Sequence, residues 1–257
     1  VEAAPVAATP SDVDVTSFDG TTIRLHWFPA PGDDRHPTVL MGPGWSQPGS
    51  TLAQDPILFG ALGIAGMNDA AAHFLFIVTS TRESGHPGNT EWLARQAAAA
   101  LPASATQTWL SLAGMSLPPF TDLRHTAGQY PAPTGDMATL LDATLAATDI
   151  VFVSPVYWYS IPAPLKTYLD HWSAWMRVPG VPFKEQMAKK TLRLITTSGD
   201  RAKAQPMIDS VRLCAQFLSM AWGDALWGKG GPPGAVQADA SAVAAAAGFL
   251  LQPGVRP

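Results

Sequence analysis

Three observations predict an α/β fold with a parallel, doubly wound sheet for residues 73–257. Short apolar runs recur at HFLFIVTS (73–80), DIVFVSP (149–155) and TLRLITTSG (191–199). Helical patterns lie between them, and strand–helix alternation builds βαβ units. Each run passes into Ser, Thr, Gly or Pro at its C-terminal end, where a loop begins.

Taken in chain order, 73–80 is apolar almost throughout, as a strand buried on both faces is. A helix is expected over 89–101, with Asn89 as its N-cap. TQTWLSL (106–112) mixes Thr, Gln and Ser with Trp and Leu and suits an edge strand. A helix at 136–147 leads to the second buried strand, 149–154. In 161–176, Ile161, Leu165, Tyr168, Leu169, Trp172 and Met176 share one helical stripe. The strand at 191–199 follows, then a helix at 204–220, a fifth strand candidate WGDALWG (222–228) and an Ala-rich closing helix at 238–251. Five strands fit the flavodoxin-like order 2-1-3-4-5, a three-layer sandwich with a five-stranded parallel sheet.

Residues 11–56 lack this rhythm and predict a β-rich N-terminal extension. VDVTSFDGTTIRLHWFPAPG reads as two strands around the turn Asp19-Gly20, and HPTVLMGPGWSQPGS as a third short strand entering a loop. Residues 57–78 are apolar, but Asn68 and Asp69 interrupt them, which points to two core elements and not to a membrane span. The Pro/Ala-rich start has no signal-peptide pattern. The expected organisation is an extension over 1–72 and one domain over 73–257.

Composition narrows the function. A 47% hydrophobic content suffices for a sizeable core, and a net charge of −4 offers no basic stripe for nucleic acid. The single Cys214 excludes a disulfide framework and a cysteine zinc site, and it fits a reducing, cytoplasmic setting. His73, His86, His125 and His171 show no metal-ligand spacing, so no metal is expected. His171 sits on a helix face. His125 lies in the long loop before 136, where it could line an active-site mouth.

The chemistry gathers in three loops. TSTRESGHPGNTEWL (79–93) leaves a strand and opens a helix. Ser80, Thr81, Ser84 and Thr90 supply hydroxyls, and Gly85 and Gly88 let backbone amides approach a ligand. A helix N-terminus favours an anion, and Arg82 could add a two-pronged phosphate contact; an ordinary Gly/Ser turn is the plainer reading. In the second loop, SPVYWYSIPAP, three consecutive aromatics are fenced by Pro155 and Pro162. Contiguous aromatics on a stiff turn offer flat faces to a ring more readily than they fill a core. The third loop, TTSGD (196–200), pairs hydroxyls with Gly199 and suits polar edges. An anion, a flat ring and polar edges together describe one elongated ligand, a flavin mononucleotide.

Residues 73–250 resemble the flavodoxin-like NAD(P)H-dependent FMN/quinone oxidoreductases. That family's phosphate loop S-x-R-x-x-G-N-T is similar to STRESGHPGNT, its ring loop P-x-Y-W-Y-S-x-P-A-x-L-K-x-x-x-D to 155–170, and its TTGG loop to Thr196–Gly199. The resemblance implies FMN, with NADPH or NADH as co-substrate, and a homodimer. It implies Ser80, Arg82, Gly88, Asn89 and Thr90 at the phosphate, Pro155, Val156, Tyr157 and Trp158 at the ring, and Thr197, Ser198 and Gly199 at its pyrimidine side. Hydride would pass from NAD(P)H through flavin to a quinone or similar small acceptor. Where mammalian-type quinone reductases carry a Tyr and a His after this last loop, DRAKAQPMID has neither; the acceptor and proton donor stay open. The alternatives are a flavodoxin-type electron carrier and a serine hydrolase. The latter follows from residues 1–72, which resemble the opening of an α/β-hydrolase but hold no G-x-S-x-G elbow.

Overall fold

Hydrophobic alternation settles into two units in the computed structural model, Val1–Ala65 and Gly66–Pro257. The structure describes residues 11–16, 22–27, 40–41, 72–82 and 87–256. In the first unit, β1 (Ser11–Thr16), β2 (Thr22–Trp27) and β3 (Leu40–Met41) form an antiparallel sheet in that order, with Ser11 opposite Trp27 and Thr16 opposite Thr22. The expected turn at Asp19-Gly20 and the apolar segment before 72 lie outside the described residues.

The second unit carries β4 (His73–Val78), β5 (Thr106–Ser111), β6 (Asp149–Val153), β7 (Thr191–Ser198) and β8 (Ala221–Lys229). They form one parallel sheet in the order β5-β4-β6-β7-β8. This is the flavodoxin-like order read from the sequence, and β5 lies at an edge, as its composition suggested. The helices are α1 (Asn89–Ala99), α2 (Asp136–Ala146), α3 (Ala163–Trp175), α4 (Phe183–Met187), α5 (Arg201–Phe217) and α6 (Ala240–Phe249).

Successive strand residues point to opposite faces, and each face has its own core. Leu75, Ile77, Ile150, Phe152, Leu192 and Leu194 pack with Leu140, Leu165, Tyr168, Trp172, Met207 and Val211 of α2, α3 and α5. Phe74, Phe76, Val151, Val153, Ile195 and Leu226 pack with Leu93, Ala97, Ala242 and Phe249 of α1 and α6. A sheet covered on both faces explains why its central strands read as unbroken apolar runs.

Three local details depart from the sequence reading. The N-cap of α1 is Gly88 and not Asn89, whose side chain is buried and bonded to another segment. α5 starts at Arg201, earlier than expected, because the Asp200 carboxylate accepts the N–H of Ala202 and caps it, which leaves Pro206 inside the helix. α4 is five residues long, too short to show a period, and is fixed by burial of Phe183 and Met187.

Buried Arg193 on β7 sits near the strand starts. Its guanidinium pairs with Asp149 (3.3 Å) and donates to the carbonyls of Gly223 (3.2 Å) and Gln252 (2.7 Å). The register between β7 and β8 shifts at this point, and Asp224 takes a φ of 69°. A Cβ on Gly223 would lie 2.5 Å from Arg193 Cγ, so the bulge and the glycine make room for the arginine.

Candidate functional site

All strands of a parallel sheet end on one side, so the loops after β4, β6 and β7 meet there. They enclose a cavity of about 210 Å³ lined by Val78, Ser80, Arg82, Gly88, Asn89, Thr90, Glu91, Val153, Pro155, Tyr157, Thr197, Ser198 and Gly199, together with Gly230 and Gly231. Ten of the twelve residues singled out from the sequence therefore share one cavity wall; Val156 and Trp158 are the two that do not. Ser84, Gly85 and His86 lie outside the described residues.

The electropositive end of the cavity is built on α1. Its first turn, Asn89 to Glu91, borders the cavity, and the leading N–H groups of a helix have no partner within it. Their partial positive charge adds to the Arg82 guanidinium. Thr90 and Thr197 share a buried hydrogen bond of 2.6 Å, which ties this turn to the end of β7. The Thr81 hydroxyl donates to the Tyr157 hydroxyl at 3.4 Å and ties the first loop to the second.

The hydroxyls expected to face a ligand mostly organise the loops. Ser80 Oγ accepts the Arg82 N–H at 3.3 Å. Ser198 Oγ donates to the Asp200 carbonyl at 2.6 Å and accepts the Trp227 indole N–H at 2.8 Å, so its hydrogen is spent. Gly88 and Gly199 of these loops, with Gly230 and Gly231 after β8, bring bare backbone to the cavity. The Gly230–Gly231 contribution was missed in the sequence. Its only signal was the glycine-rich GKGGPPG (228–234) in which β8 ends.

The aromatic loop is a tight turn. Tyr157 N–H donates to Ser160 O (2.9 Å) and Ser160 N–H donates to Tyr157 O (3.0 Å). Between them Trp158 and Tyr159 take φ values of 50° and 63°. Two successive positive φ angles are the sign pattern of a I′ turn, which favours Asn and Gly; bulky residues there cost about 1–2 kcal/mol each. Trp158 is 93% exposed and Tyr159 56%. The aromatics are no core cluster. Val156 packs against the core on the α3 side instead. The Tyr157 N–H is consumed by the turn.

No residue of the long loop 113–135 lines this cavity, and the expectation that His125 borders its mouth is not met. The loop lies along α3 instead. His171 Nε2 meets the Pro118 carbonyl at 2.9 Å, Tyr130 N–H donates to the Arg177 carbonyl, and Phe120 packs edge-on to His171. Among the described residues no three His, Cys, Asp or Glu side chains cluster as metal ligands, and no helix is long and apolar enough to cross a membrane.

The donor set suits FMN: helix N–H groups and Arg82 for a phosphate, Pro155 and Tyr157 beside Ser198 and Gly199 for a planar ring with polar edges. Known proteins agree. Residues 72–226 match the family model for NADPH-dependent FMN reductase. The chain is 30% identical over 166 residues to YwqN of Bacillus subtilis (strain 168), named as an NAD(P)H-dependent FMN-containing oxidoreductase, a match spanning 63% of this chain and 90% of that one. Among solved structures it is similar to the Trp repressor binding protein from Bacillus subtilis, with a TM-score of 0.53 and 26% identity over 69% of this chain and 96% of the other. It shares the fold of RosB bound to 8-demethyl-8-formylriboflavin-5'-phosphate, with a TM-score of 0.55 and 15% identity over 70% and 76% of the two chains. The family match begins at residue 72 and lends no support to the α/β-hydrolase likeness of the segment before it. The chain belongs to the NADPH-dependent FMN reductase family and is an enzyme that uses FMN with NAD(P)H as co-substrate.

Proposed function

We propose that this chain moves reducing equivalents from NADPH or NADH to a quinone or similar small acceptor, and that the three strand-end loops hold the flavin between them. The observation that carries the assignment is their convergence on one cavity with the first turn of α1 in its wall. FMN, when bound, supplies the chemistry by accepting hydride from the nicotinamide and handing electrons to the acceptor.

The chain's own residues then have defined tasks. Ser80, Arg82, Gly88 and Thr90 bind the phosphate with the leading N–H groups of α1. Pro155 to Trp158 set the plane of the ring through a turn whose own shape is fixed by the paired backbone bonds of Tyr157 and Ser160. Thr197, Ser198 and Gly199 meet the polar edge, and Gly199 lets backbone donors approach where negative charge develops. No Tyr or His follows this loop in DRAKAQPMID, so protons for the acceptor come from water or another wall.

A homodimer follows from the family resemblance, and sedimentation of the purified chain measures it. A cytoplasmic setting suits Cys214, a lone half-buried thiol that burial pushes above its ordinary range. Residues 73–257 form the flavin domain, and 1–72 an extension to it.

The test is paired titration with FMN and riboflavin. Arg82→Ala should weaken FMN by about tenfold or more, the worth of a charge-assisted hydrogen bond, and leave riboflavin unchanged. Equal losses for the two flavins would show that Arg82 does not meet the phosphate.

A further inference from the structure

Asn89 occupies the position that the family resemblance gives to a phosphate ligand, yet its side chain is engaged elsewhere. It is 6% exposed. Its Nδ2 donates to the carbonyls of Gly231 (3.2 Å) and Pro232 (3.0 Å), and its Oδ1 accepts the Val236 N–H (3.4 Å). A carboxamide has two N–H hydrogens; both are spent, and none remains for a phosphate oxygen. The three bonds fasten the segment after β8 to the first turn of α1.

That segment is held at other points too. Gly230 N–H donates to the Ser198 carbonyl at 2.8 Å, and Lys229 N–H donates to the Asp239 carboxylate at 2.8 Å. A Cβ on Gly230 would stand 3.1 Å from Thr197 Cβ and 3.4 Å from the Ser198 nitrogen, so the backbone there runs against the end of β7. Gly230 and Gly231 line the same cavity as Arg82 and Gly88.

We propose that Gly230 and Gly231 are a fourth wall of the cofactor site, laid against the phosphate end, and that Asn89 is a positioning residue that holds this wall and not a phosphate ligand. The proposal rests on the FMN reading of the cavity. Asn89 then acts on affinity through the path of residues 230–236, and the phosphate meets the backbone of α1.

Hydrogen–deuterium exchange of the full chain, with FMN, with riboflavin and without ligand, tests this beside flavin titrations. In the unmodified chain FMN should slow exchange at 87–91 and also at 230–236, and riboflavin should slow 230–236 far less. Asn89→Ala should speed exchange at 230–236 before any ligand is added. It should weaken FMN about tenfold, as the loss of a bonded anchor does, and abolish the protection of 230–236 while that at 197–199 persists. FMN protecting 87–91 with 230–236 unchanged would overturn the fourth wall, and the unmodified chain alone decides that point whether or not the variant folds. Weaker FMN in Asn89→Ala with unchanged ligand-free exchange would mark a direct phosphate ligand and overturn the positioning role. No protection anywhere by FMN would remove the flavin reading itself, and the proposal with it.

Discussion

Replacing Trp158 by Asn should make the protein more stable and its flavin site worse. Trp158 holds a φ of 50° with 93% of its surface in water. A left-handed backbone costs a bulky L residue about 1–2 kcal/mol, and Asn tolerates it because its short side chain bonds locally. The ring buries so little that its removal forfeits no more than ~0.5 kcal/mol at 25 cal/mol per Å². The net gain is about 1 kcal/mol, or roughly 2–4 °C in Tm for a domain of this size. With the indole at the ring, as the proposed function has it, an aromatic contact worth about 0.5–1.5 kcal/mol is lost, so FMN affinity should fall about three- to tenfold. Thermal melts of flavin-free protein and FMN titrations on the same preparation read both effects. A less stable variant with unchanged FMN affinity would refute the reasoning, since the indole would then be packing and the turn unstrained. A more stable variant with unchanged affinity would show strain that does not serve the ligand.

Gly223→Ala should lower stability by about 1–3 kcal/mol, the usual cost of overpacking, because Arg193 Cγ lies 2.5 Å from the new methyl and its guanidinium is anchored; urea melts would show this, with FMN affinity unchanged. Burial, partly offset by hydrogen bonding, pushes the Tyr168 hydroxyl up to about 12. The unfolded chain loses that proton near pH 10 and the folded chain keeps it, so stability is fully present below pH 10 and falls by about 2–3 kcal/mol as pH rises to 12. Tyr168→Phe should cost about 1 kcal/mol at pH 7 for its bond to Thr144 and flatten that alkaline loss; urea melts at pH 7, 9 and 11.5 check it. Deleting residues 1–70 should leave a soluble chain that binds FMN and oxidises NAD(P)H, since Ala72, whose carbonyl accepts the Thr106 N–H, is retained. An insoluble or flavin-free 71–257 chain would move the boundary.

What the sequence showed depended on period and range. The strands at 73, 149 and 191 were plain because both faces of the sheet are covered, and β-branched and aromatic runs with loop residues at their ends have few other uses. The three loops were found because sheet topology, which is regular, decides where they meet. Side-chain commitments were not legible. Asn89 reads as a helix cap from its neighbours, but its partners lie more than 140 residues away. The hydroxyl of Ser198 looks available until Trp227, 29 residues on, is folded against it. Trp158 and Tyr159 gave no warning of positive φ, since the usual Asn or Gly is missing. Gly230 carries no local signal of its place in the cavity, because the neighbour that leaves no room for a Cβ, Thr197, lies 33 residues earlier in the chain.

The bulge around Arg193 has a practical corollary. Val255 bridges to Trp222 at the start of β8, and Arg256 donates to the carbonyls of Ala188 and Lys189. Strand residues advance about 3.3 Å each, so the nine residues of β8 separate this knot from Gly230 by roughly 25 Å. Any polypeptide joined after Arg256 leaves at the foot of the sheet, with the whole strand length between it and the cavity.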